Sequence, residues 1–385
     1  MGTYVIVGAR MIDGNGGAPQ AESYLTIEDG KIVSASGSDV PGDATVIEAP
    51  GHTLMPGLID CHQHVGHEYQ ALWRLQMNLR RGATTVAGVT SGVPGVKLRQ
   101  AIEAGLVRGC PRFWVGGVVG ASGGHLRWTE DWPSGIYADG PWEIRRGVRV
   151  LASERVDFIK TCASGGFQFI DEGVTNEDYT LDELTAVVQE AHARKKRVIV
   201  HAHAQPGLKA AIAAGCDLIH HGALIDEEAL QGIKQRGLYY TPTLHITSEP
   251  VWNSDRFEPH TRERMAHAHP IHREGVRRAH ELGLHISVGT DGGPGDAAHE
   301  LMELCSCGLS PMEAIVCGTR NSAEALGIAD LTGTLEVGKD ADLMLVAGDP
   351  LEDISSLYDG DNIRLVMRGG IVEYAVGEFH RFWQP

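Results

Sequence analysis

The residues with the greatest chemical content in this 385-residue chain are His62 and His64, which close the apolar run Gly57-Leu58-Ile59-Asp60-Cys61. Side chains two apart on a strand point the same way. A strand ending in His-x-His therefore offers two imidazoles to one metal ion without bending the backbone. Further groups of the same kind end other apolar runs. Lys160 stands inside Val156-Asp157-Phe158-Ile159-Lys160, His201 and His203 end Val198-Ile199-Val200-His201-Ala202-His203, His220 and His221 precede Gly222, and Asp291 ends Gly289-Thr290-Asp291. Taken singly, each has a plain structural reading, a loop histidine or a lysine reaching along its stem to water. Their agreement favours ligands.

The elements that must position these groups follow from the rhythm of the chain. Candidate strands at 54–62, 84–90, 112–119, 157–163, 197–203, 217–221, 238–244 and 285–290 alternate with helical patterns, among them 68–81, 95–105, 180–196, 226–236, 259–282 and 297–306. Eight strand–helix units predict an α/β chain folded as a (β/α)8 TIM barrel, whose chemistry gathers at the C-terminal ends of the strands. Strands 1, 4, 5, 6 and 8 then carry the groups named above. No glycine-rich phosphate loop follows strand 1, which lowers the case for a dinucleotide fold. Short strands separated by Asp-Gly turns fill the first fifty residues, and strand-like runs return after 335. Residues 1–55 with 336–385 are expected to form a small flanking β-sandwich built from both termini, and 56–335 the barrel.

Composition narrows the classes. A net charge of −17 opposes binding to nucleic acid or to an anionic membrane surface. No apolar stretch approaches the roughly 20 residues that span a bilayer. The seven cysteines are irregularly spaced and read as reduced thiols in a cytoplasmic protein without a leader.

The set as a whole resembles the amidohydrolase superfamily. The marks are Pro56-Gly57-Leu58-Ile59-Asp60 before His-x-His, the strand-4 lysine, histidines on strands 5 and 6, the strand-8 Gly-Thr-Asp and the tail Gly333-Thr334-Leu335-Glu336-Val337-Gly338-Lys339-Asp340-Ala341-Asp342-Leu343. Gly123-Gly124-His125, and Lys160 followed by Ser164-Gly165-Gly166, are similar to the imidazolonepropionase-related branch, which includes binuclear Xaa-Pro and Xaa-Arg dipeptidases and ochratoxin-type amidases. The resemblance implies that His62, His64 and Asp291 take one metal and His201 and His221 the other, with Lys160 between them. His201 is preferred to His203 because it ends the apolar run and matches the family position. His221 is preferred to His220 as the family's His-Gly, and His220 is expected to face the helices.

Two dications beside Lys160 would depress its pKa, so that it captures carbon dioxide as a bridging carbamate. Two divalent ions then meet a carbamate, the Asp291 carboxylate and a hydroxide, leaving little net charge. Nitrogen and oxygen donors suit zinc, with manganese or cobalt as alternatives. The expected reaction is hydrolysis of an amide bond in a small molecule, such as a dipeptide or N-acyl amino acid. A metal-bridging hydroxide would attack, with Asp291 as proton shuttle. His125 is a candidate for the oxyanion or a substrate carboxylate, Tyr240 (or Tyr239) for lining the pocket, and Arg127 or Arg112 for a substrate carboxylate. Cyclic-amide hydrolysis and deamination on the same scaffold compete with this reading. Deamination is disfavoured because Lys160 is present and Ala204-Gln205-Pro206 holds no catalytic glutamate. A non-enzymatic binding module is disfavoured because all six ligands are kept. A homo-oligomer is expected.

Overall fold

The computed structural model describes residues 2–37, 40–66, 68–128 and 135–383. Eight parallel strands run in chain order around a barrel: β1 (Leu58–Gln63), β2 (Ala83–Gly88), β3 (Arg112–Gly120), β4 (Phe158–Cys162), β5 (Arg197–Ala202), β6 (Leu218–His221), β7 (Tyr239–Thr241) and β8 (His285–Ile286). Residues 287–291 continue β8 toward the first strand. There Cys61 N donates to Val288 O at 2.8 Å and Asp291 N to His62 O at 2.9 Å, which closes the ring. Register follows the sequence pattern, with Cys162 opposite His201 and Ala202 opposite His221. Valines and isoleucines of these strands pack under the helices, as expected for parallel strands buried on both faces.

Helix boundaries are set by local chemistry. Thr180 and Ser310 each open a helix with a reciprocal capping box to Glu183 and Glu313. Gly215 and Gly237 end helices Gly207–Ala214 and Glu227–Arg236 in the left-handed conformation that suits a residue without Cβ. Two strands are shorter than the sequence pattern suggests. β7 stops at Thr241 because Pro242 lacks an N–H and the Glu300 carboxylate accepts the Leu244 and His245 N–H groups, starting the helical turn Leu244–Thr247 instead. β8 is short because, after Ser287 N donates to Tyr240 O on β7, the chain is held by Val288 N to Ser322 Oγ and by cross-bonds to β1 rather than by a regular ladder.

Both termini build the flanking sandwich. One sheet holds Tyr4–Val7, Tyr24–Glu28, Lys31–Ser34 and Thr45–Glu48. The other holds Arg10–Met11, His52–Pro56, Leu343–Ala347, Ile363–Arg368 and Ile371–Ala375. Ile6, Leu25, Ile27 and Ile47 of the first pack against Leu54, Leu345, Leu365 and Met367 of the second. The strand His52–Pro56 runs through Gly57 directly into β1, so the sandwich and the barrel share one stretch of backbone. No helix among the described residues is long and apolar enough to cross a membrane.

Candidate metal centre

Strand periodicity and barrel curvature bring the sequence-selected groups to one end. His62 on β1, Lys160 on β4, His201 on β5 and His221 on β6 are buried, while His64 and Asp291 stand partly open at the rim. The ligand atoms of His62, His221 and Asp291 lie within 4.8 Å of one another, as do those of His201, His203 and His221. The two triads share His221 and so lie side by side. His62 Nε2 and His64 Nε2 stand 3.5 and 3.3 Å from Asp291 Oδ1. His221 and Asp291 both have positive φ, at 74° and 51°. Such conformations are uncommon outside glycine and concentrate where geometry serves a site.

The donors are in the right state to bind cations. Burial first, and neighbouring positive groups second, hold the His62, His201, His203, His220 and His221 imidazoles well below their ordinary pKa. Neutral rings offer lone pairs. Burial likewise brings Lys160 down to about 8. Several polar atoms facing this region are buried without a partner among the described residues: His62 Nε2, His203 Nδ1 and Lys160 Nζ. Leaving such atoms unmade is unfavourable by about 1–3 kcal/mol each. Together they fit a pair of divalent ions, which would satisfy the orphaned nitrogens at once.

A supporting layer orients the rings. Thr90 Oγ1 meets His64 Nδ1 at 3.1 Å and Thr243 Oγ1 meets His221 Nδ1 at 2.8 Å. The buried Asp60 carboxylate accepts from His62 N, Gln63 Nε2, Thr290 N and Thr290 Oγ1, tying β1 to the strand-8 end. Burial raises its pKa to about 6 despite those bonds. His125 sits beside the centre, its ring stacked on His201 with centroids 4.1 Å apart. Its Nδ1 donates to Glu172 Oε1 at 2.5 Å and its backbone N–H to Asp178 Oδ2 at 2.7 Å. A cavity of about 170 Å³ opens there, lined by Ser122, Glu172, Asn176, Glu177 and Asp178 among others.

Some sequence expectations are corrected. His220 does not face the helices: its Nδ1 lies 2.6 Å from His62 Nδ1 inside the barrel. Alternation breaks because His221 leaves strand geometry at its positive φ, so both rings turn to the site. Tyr240 does not line a pocket. It is fully buried, and its hydroxyl donates to His221 O at 3.0 Å. Arg112 starts β3 at the far end of the barrel and pairs with Asp340 and Asp342. The Arg127 side chain lies outside the described residues. Glu172 escaped the sequence reading, since a loop glutamate 47 positions from its partner carries no periodic signal.

Comparison with known proteins agrees with this geometry. The amidohydrolase family profile matches residues 53–372. Ochratoxinase from Aspergillus niger is 28% identical over 419 aligned positions, covering 95% of this chain and 85% of that protein. A solved Xaa-Pro dipeptidase with methionine bound in its active site superposes with a TM-score of 0.87 at 30% identity, over 97% of this chain and all of that one. A prolidase complexed with N-methylphosphonate-L-proline gives 0.87 at 27% identity, again over 97% of this chain and all of the other.

Proposed function

From the premise that the chain belongs to the amidohydrolase family and is a metal-dependent hydrolase of carbon–nitrogen bonds, we propose that it cleaves a linear amide in a dipeptide or N-acyl amino acid at a two-metal centre. The observation that carries the proposal is the convergence of His62, His201, His221 and Asp291, from four strand ends, on two overlapping triads, with the buried Lys160 as an electrostatic neighbour of all three of those histidines. His62, His64 and Asp291 would hold one ion and His201 and His221 the other, with His203 in reach of the second. Lys160, as a carbamate, would lie between them. Zinc is the preferred occupant, with manganese or cobalt acceptable to the same donors. When bound, such ions activate water and polarise the scissile carbonyl.

The protein's own groups do the rest. Asp291, partly open and in reach of three imidazoles, takes the proton of the attacking water and returns it to the leaving nitrogen. The Glu172 contact fixes a proton on His125 Nδ1, and Asp178 anchors its backbone. Carboxylates line the adjoining cavity and would repel a substrate carboxylate. His125 is therefore assigned to the carbonyl oxygen rather than to the substrate's acid group, donating from Nε2 as an imidazolium paired through Nδ1 with the Glu172 carboxylate. Arg127, on the same short helix His125–Trp128, remains a candidate for that group. Free, largely buried thiols support action in a reducing cytoplasm.

The test is amine release from a panel of Xaa-Pro, Xaa-Arg and other dipeptides, N-acyl amino acids, aryl amides and small ring amides, using stripped and zinc-reloaded protein. Release from linear, carboxylate-ending substrates by the reloaded protein is expected. Turnover of ring amides alone, or ammonia release alone, would replace the proposal with cyclic-amide hydrolysis or deamination. Tight metal with no turnover would leave a binding module.

A further inference from the structure

The contact between His62 and His220 has a definite proton arrangement. Their Nδ1 atoms are 2.6 Å apart, both rings are buried, and the ring centroids are 4.8 Å apart with a tilt of 37°. Two nitrogens at that distance share one hydrogen. For His62 to present a lone pair at Nε2, toward Asp291 and the centre, its proton must sit on Nδ1. His62 then donates, His220 Nδ1 accepts, and the His220 proton is placed on Nε2. That nitrogen and His62 Nε2 are both buried without a partner among the described residues.

A metal-binding imidazole is ordinarily backed by a carboxylate, a carbonyl or water, and a carboxylate makes the ligand nitrogen more basic. A neutral imidazole in that place fixes the ring and its tautomer but donates less charge. We propose that His220 is a positioning residue that selects the His62 tautomer for metal binding. By supplying a neutral rather than an anionic acceptor, it also holds the His62 ion more loosely than a carboxylate would. This inference rests on the two-metal reading above.

The test is cobalt(II) binding to the stripped protein, followed by competition with a chelating dye, metal stoichiometry and the visible spectrum of the bound ion. Asn places an oxygen where His Nδ1 stands, Asp places a carboxylate there, and Leu removes the acceptor. His220→Leu is expected to weaken one of the two cobalt sites by about 10–100-fold with the other unchanged. His220→Asn should restore both the affinity and the spectrum, and His220→Asp should tighten the same site by about tenfold. A His220→Leu protein that binds both ions like the wild type overturns the proposal, as does a folded His220→Asn as weak as Leu. Should Leu prevent folding, the Asn and Asp proteins decide, and equal affinities overturn it. A wild type that does not take up two ions overturns the two-metal reading and this inference with it. Two ions in the wild type with no change in the variants overturns the role of His220 alone.

Discussion

Lys160 shows what a single residue reveals at this site. Its side chain is 1% exposed, its Nζ has no acceptor among the described residues, and burial lowers its pKa to about 8. A lysine kept there for packing alone would be replaceable by methionine with little effect. If it bridges two ions as a carbamate, Lys160→Met should lose one metal per chain. It should also lose about 4 kcal/mol of transition-state stabilisation, about a thousandfold in kcat/KM, with added short carboxylates partly rescuing Lys160→Ala. Elemental analysis and kinetics check both. His272 gives a second prediction. Its Nε2 donates to His221 O at 3.0 Å, and burial lowers its pKa from 6.5 to about 4. A base with a depressed folded pKa binds its proton more readily when unfolded. Stability is therefore intact above 6.5 and falls as pH drops from 6.5 toward 4, by about 3 kcal/mol for this group. Urea midpoints of metal-free protein should fall less steeply over that window in His272→Gln than in the wild type. At this scale the sequence was informative wherever a group sat at a regular strand end, as His62 and His201 do. It was uninformative where one dihedral changed the direction of a ring, as at His220 and His221.

At the scale of elements, the loop after β4 shows what sequence patterns miss. Strands and helices announced themselves through their period, and capping boxes at Thr180 and Ser310 fix two helix starts. The segment 165–178 has no period, yet it delivers Glu172 to His125. Its shape is held from a distance by Arg264, on the helix Pro259–Glu281, which donates to Phe169 O at 2.7 Å, Glu172 O at 2.8 Å and Ile170 O at 3.2 Å. Such bonds are set by three-dimensional proximity alone, so no local signal in the sequence could mark them. Arg264→Leu should release the loop while leaving the metal ligands in place. We expect unchanged metal content, faster amide exchange across 166–172, and a loss of about 2 kcal/mol of loop stability, the range for charge-assisted hydrogen bonds. About tenfold in kcat/KM should go with it as His125 loses its orientation. An Arg264→Leu protein with altered metal content would mean that the loop supports the ligands as well.

The whole molecule depends on a junction one residue long. The strand His52–Pro56 belongs to the sandwich and pairs with Leu343–Ala347, while Leu58–Gln63 belongs to the barrel and carries His62; Gly57 alone separates them. That both ends of the chain would meet beside the barrel was readable from the return of strand rhythm after residue 335. Why the meeting requires glycine was not, because the reason lies in the neighbouring strand. A Cβ at position 57 would stand 2.2 Å from Thr84 Cγ2 and 2.3 Å from Thr84 Oγ1, and Thr84 is fully buried on β2. Neither side can yield without displacing a barrel strand. Gly57→Ala should therefore cost about 3 kcal/mol, the upper range for overpacking a closed core, read as a lowered denaturant midpoint. Because the displaced backbone continues in both directions, the loss should be felt by the sandwich and the barrel together. A single cooperative transition at lower denaturant is expected, with His62 and its ion affinity disturbed from five residues away. Gly57→Ala paired with Thr84→Ala removes the opposing methyl and hydroxyl but leaves the Thr84 Cβ 2.7 Å away, so partial recovery of the midpoint in that double variant would assign the cost to this contact.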